Sequence, residues 1–104
     1  MDGLTIFWTQ TAIKQRDHVF DYWNHRNKSN SYSKKLNLAI RVRIDQLRFQ
    51  PDIGKKTNFG ETRAIIMGHY SILYTIDKSK VIITGFWDNR QDSKKLLQFL
   101  KKKS

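Results

Sequence analysis

Leu4, Ile6 and Trp8 alternate with Thr5, Phe7 and Thr9, the pattern of a half-buried first strand. From about Thr11 the period changes. Ala12, Arg16, Val19, Phe20 and Trp23 fall on one helical face, with Thr9 or Thr11 available as the N-cap. Residues 24–31 contain no aliphatic side chain and predict a turn. A longer helix follows over Ser31 to Gln50, where Tyr32, Leu36, Ile40, Ile44 and Leu47 form one stripe and Pro51 stops the helix. Leu38, Val42 and Phe49 project on the opposite side, so this helix carries two apolar faces. The second face is either covered by the chain's own fold or left to dock a partner.

Asp52 to Gly60 has loop chemistry and carries the adjacent cations Lys55 and Lys56. Three strand-like runs then follow closely: Thr62 to Met67, Tyr70 to Ile76 and Lys80 to Trp87, an antiparallel meander. Asp92 to Lys103 predicts a closing helix, with Asp92 or Ser93 as its cap and lysines at its C-terminal end. The order β-α-α-β-β-β-α implies an α+β domain, a helical hairpin packed on a twisted, mainly antiparallel four-stranded sheet.

Length and charge narrow the class. The chain has 104 residues, which fits one domain spanning 1–104, and 20 Lys plus Arg against 9 Asp plus Glu leave a net charge of +11. Such a charge favours polyanionic partners: nucleic acid, ribosome or an acidic protein. With no cysteine, thiolate metal sites and cysteine nucleophiles are excluded. The longest apolar run, Ala64 to Met67, is far too short to span a bilayer, and a soluble, cytoplasmic protein without membrane attachment is expected.

Standard hydrolase and phosphate-loop motifs are absent, and the acidic residues are too scattered for a two-metal site. His18 and His25 share a helical face without acidic neighbours, so neither a metal nor a cofactor is expected. The densest polar group is Trp87 to Asp92, at the exit of the last strand. Arg90 there, with the hairpin positions Arg63 and His69, has the residue types to hold a phosphate. The alternative is that Asp88 and Arg90 pair locally and cap the final helix.

Trp8 and Ala12 at the first strand-helix junction, the helix end Leu47 to Pro51 followed by Ile53 and Gly54, the run Arg63 to Tyr74 and the exit motif Phe86 to Asp92 together resemble the RelE/ParE superfamily of toxins from bacterial type II toxin-antitoxin systems. The resemblance spans nearly the whole chain. It implies a small toxin neutralised by a cognate acidic antitoxin, and one of two activities: poisoning of DNA gyrase, as in the ParE branch, or metal-independent, ribosome-dependent cleavage of mRNA, as in the RelE branch. Arg90 matches the exit arginine of the RNA-cutting branch. Ser71, where that branch has an arginine after Gly-Tyr, does not match, and the last segment has no tyrosine. These departures favour the gyrase branch. If the chain is an RNase, Arg90, Arg63 and His69 are the expected catalytic groups, with Lys55, Lys56 and Arg90 contacting phosphate. A basic nucleic-acid-binding module or a degenerate toxin is the remaining alternative. Leu38, Val42 and Phe49, flanked by Arg41, Arg43 and Arg48, form an apolar strip rimmed with positive charge, which suits an acidic amphipathic antitoxin helix.

Overall fold

The structure, a computed structural model, describes residues 3–90. Strand β1 (Thr5–Trp8) leads into helix α1 (Gln10–Asn27), whose N-cap Thr9 accepts the Ala12 N–H in its side-chain oxygen at 3.1 Å. The helix runs to Asn27, through part of the polar stretch read as a turn, and closes on Lys28 in the left-handed conformation (φ 51°). After three residues α2 (Ser31–Phe49) begins, and Ser33 Oγ ties the two helices together by donating to Asn24 Oδ1. α2 ends one residue before the stop set by Pro51.

Four strands complete the described part: β2 (Lys55–Lys56), β3 (Arg63–Met67), β4 (Tyr70–Asp77) and β5 (Lys80–Asp88). The sheet therefore has five strands in the order β1-β5-β4-β3-β2, one more than the sequence pattern predicts. The extra one is β2, which pairs antiparallel with β3 through Lys55↔Ala64 and Lys56↔Arg63. A two-residue strand of lysines has no alternation to detect. β1 joins β5 in parallel, the helical hairpin carries the chain from β1 to β2 at the opposite edge, and the other pairings are antiparallel. The closing helix expected over Asp92 to Lys103 lies outside the described residues.

One face of the sheet carries Ile72 and Tyr74 from β4 and Val81, Ile83 and Phe86 from β5, all buried against Ala12 of α1 and Leu36 and Ile40 of α2. Burial on this scale contributes about 1.5–3 kcal/mol for each large side chain. β4 and β5 change register between Leu73 and Tyr74, where β5 carries the extra residue Thr84. Just beyond it, the Phe86 N–H is taken by the Gln15 side-chain oxygen of α1 at 2.9 Å, fixing helix to strand. No described helix is long and apolar enough to cross a membrane.

Candidate functional site

Three groups of candidate residues occupy three separate places. The first is the outer face of α2. Because Leu36, Ile40 and Leu47 turn inward, the residues on the opposite side of the helix are left exposed among the described residues: Leu38 is 64% exposed, Val42 53% and Phe49 61%. Arg41 and Arg43 stand exposed beside them, and the Arg48 guanidinium lies 5.5 Å from the Phe49 ring centroid. The result is an apolar strip with a cationic border.

The second group lies where β2 meets β3. Tyr74 is fully buried on β4, and its hydroxyl both donates to the Pro51 carbonyl at 2.7 Å and accepts the Gly54 N–H at 2.9 Å. Burial pushes the Tyr74 hydroxyl pKa up. Gly54 has no room for a side chain there, since a Cβ would stand 2.5 Å from the tyrosine oxygen. Arg63, paired with Tyr74 across the ladder, donates to the Gly54 carbonyl at 2.8 Å and to the Asp52 carbonyl at 3.2 Å. Its guanidinium is thus engaged by the loop it anchors. Lys55 and Lys56 are exposed beside it.

The third group is at the opposite end of the sheet. Arg90 makes a bidentate pair with Asp88 (Nε to Oδ1 2.9 Å, Nη2 to Oδ2 2.8 Å), and its backbone N–H reaches the same carboxylate at 2.9 Å. Hydrogen bonding from Arg90 holds the Asp88 carboxyl below the usual carboxylate range, and the same bonds raise the guanidinium pKa. The local pairing that stood as the alternative for these two residues is present. Tyr70 lies beneath, its ring centroid 6.0 Å from the guanidinium and its hydroxyl accepting the Trp23 indole N–H at 2.8 Å. Desolvation raises its pKa. His69 is exposed in the β3–β4 turn at this end, and its carbonyl accepts the Asn89 N–H at 2.7 Å. A cleft of about 350 Å³, lined by His18, Tyr22, Tyr70, Asp88 and Arg90, opens here.

The structure brings His69 and Arg90 to the same end and leaves Arg63 at the other. Arg63 pairs with Tyr74, whereas Met67, beside the turn, pairs with Tyr70 and Tyr70 with Asp88. Four strand residues separate the two ends, about 13 Å of sheet. Lys55 and Lys56 lie with Arg63. Among the described residues no group of histidine and carboxylate side chains is arranged to hold a metal ion.

The sequence matches the family described as "ParE toxin of type II toxin-antitoxin system, parDE" over residues 6–93. The chain belongs to the ParE toxin family. It is a ParE-like toxin of a type II toxin-antitoxin system. The fold of this ParE-family toxin is shared with a solved structure described as "Chromosomal ParDE TA system from P. aeruginosa", at 13% identity and a TM-score of 0.71, covering 82% of this chain and 95% of that one. Among curated proteins no significant match is found.

Sequence reasoning missed Tyr74 as an anchor. Its signal was present, in that Gly54 follows Pro51 closely enough to form a tight loop needing a buried partner. Alternation alone identifies a buried tyrosine without saying where its hydroxyl goes. Gln15 and Trp23 escaped for the same reason, because their partners lie 71 and 47 residues away.

Proposed function

We propose that this toxin acts on DNA gyrase and is held inactive by an acidic antitoxin whose amphipathic helix lies along Leu38, Val42 and Phe49. The observation that carries the reading is the separation of Arg63 from His69 and Arg90. Metal-free RNA cleavage needs a base at the 2′-hydroxyl, a cation at the phosphorane and an acid at the leaving oxygen, all within reach of one phosphate. Here Arg63 is held by two carbonyls about four strand residues away, and Arg90 already has a carboxylate partner. A toxin that inhibits by binding needs no such assembly. Membership of the ParE family supports the same target, and the net charge of +11 suits both an anionic gyrase–DNA complex and an acidic antitoxin.

Two assays on the purified chain test the target: supercoiling by gyrase, and primer extension on a translated message. Stabilised double-strand breaks with intact message are expected. Codon-edge cuts in the ribosomal A site with unaffected gyrase would overturn the reading. For the docking strip, Val42→Asp is expected to leave the toxin folded and to weaken antitoxin binding by about tenfold or more. Unfolding of the isolated variant would assign the strip to the toxin's own core.

A further inference from the structure

Among the described residues, the outer edge of β3 is only half covered. β2 pairs with Arg63 and Ala64 and then leaves, because the Tyr74 hydroxyl and the lack of space around Gly54 draw the chain inward. Among the described residues, no strand pairs with Ile65–Met67 on that side. In the β3–β4 hairpin Met67 faces Tyr70 across a two-residue turn and Ile65 faces Ile72. Those residues bond inward to β4, so the backbone N–H and C=O of Ile66 point to the open edge. A groove of about 440 Å³ follows this edge, with Ala64, Ile65 and Ile66 along one side, Arg43 and Gln46 of α2 along the other and Lys55 at its end. Two aliphatic side chains beside it are solvent-exposed, Ile66 at 58% and Ile53 at 49%.

We propose that this groove takes an extended acidic peptide as an added strand beside β3, in line with β2. The peptide exchanges backbone hydrogen bonds with Ile66. Its side chains alternate: one set lies over Ile66 on the outer face, where aliphatic residues fit, and the other faces α2, where a carboxylate meets Arg43. Charge selects the occupant. Lys55 at the groove's end and Arg43 at its wall repel a second copy of this chain, whose net charge is +11, and attract an acidic strand. Residues 91–104 are a poor alternative on the same ground, with five lysines against one aspartate. The inference stands apart from the gyrase reading; it shares Arg43 with the cationic border of the α2 strip, but it uses none of that strip's apolar side chains and nothing of the Arg90 end.

The test uses the full chain and a capped synthetic peptide of about six residues alternating valine and glutamate. Binding followed by amide hydrogen exchange is expected to protect Ile66. Two control peptides keep the charge: one has serine in place of valine, the other is N-methylated on alternate residues so that it cannot join a ladder. Both are expected to bind about tenfold more weakly, as is the parent peptide to Arg43→Glu. Equal binding of all three peptides would mean general adsorption to a basic surface and would overturn the proposal. So would Ile66 protection in the free chain, whether it disappears on dilution, assigning the edge to a second copy, or on removal of residues 91–104, assigning it to the chain's own end.

Discussion

Tyr70 and Tyr74 sit on the same strand and the same face, four residues apart, and both are buried, yet they serve opposite purposes. Tyr74 is satisfied entirely by main chain, donating to Pro51 and accepting from Gly54, and its neighbour Arg63 is likewise bound to carbonyls. Tyr70 is satisfied by a side chain, the Trp23 indole, and lies beneath a surface ion pair. Main-chain partners cannot swing away, so the Tyr74 end is a clamp on the loop that starts β2. The partners of Tyr70 are side chains with rotamers of their own, at the lip of an open cleft. A cation near a phosphate-sized space is therefore not enough to make a site; what already holds that cation decides.

The sharpest way to break the clamp is Gly54→Ala. Its Cβ would meet the Tyr74 oxygen at 2.5 Å, Cε1 at 2.8 Å and the Ala64 carbonyl at 3.0 Å. A loss of about 3 kcal/mol in denaturant unfolding is expected. Tyr74→Phe should cost about 2 kcal/mol, since it strands the Gly54 N–H and the Pro51 carbonyl. The double variant should lose less than the sum, because removing the hydroxyl clears part of the space that the added Cβ needs. Tyr70→Phe should cost only about 1 kcal/mol, as it leaves one half-buried indole N–H.

Titration separates the two ends by smaller amounts. Both tyrosine pKa values are raised in the folded chain, so the stability each contributes is complete below the unfolded value of 10.0 and is lost as pH rises through the folded one. Tyr74→Phe should therefore flatten part of the alkaline fall in Tm. Asp88 behaves in the opposite sense. Its lowered pKa stabilises above the unfolded value of 3.8, and the contribution disappears as pH falls through the folded one. Asp88→Asn should remove that acid limb and lower Tm at neutral pH by the same small amount, since this pair is partly exposed; a fall of many degrees at pH 7 would make the Arg90 pair a structural keystone like the clamp.

Much of this fold was legible because its strongest signals are local. The two stripes of α2 follow from helical period alone, and the exposed one came out as Leu38, Val42 and Phe49. The end of α1 was less legible. Asn24, His25 and Asn27 have weak helix propensity, but the Ser33 bond to Asn24 and the left-handed cap at Lys28 carry the helix through them. Arg63 and His69 are only six apart in sequence, which suggests proximity. The strand from Arg63 to Met67 already covers about 13 Å before the turn that holds His69, and the two fall at opposite ends of the hairpin. The Asp88 and Arg90 pair was visible as one of two possibilities, and only the folded geometry chooses between them.

Thr84 has a consequence for how β5 is written. Strict alternation from Val81 and Ile83 would place Gly85 and Trp87 on the helix-facing side and put Phe86 and Asp88 behind it. The bulge inverts the phase: Phe86 stacks on Tyr70 at 5.1 Å, and Asp88 falls opposite Tyr70. β5 is thus two short codes read in opposite parity, joined at one residue. Deleting Thr84 would leave both halves facing as they do now, whereas inserting a residue just beyond an intact bulge would swap the aspartate and the tryptophan between faces. The side of the sheet on which the toxin presents Arg90 is set by a parity switch upstream of it.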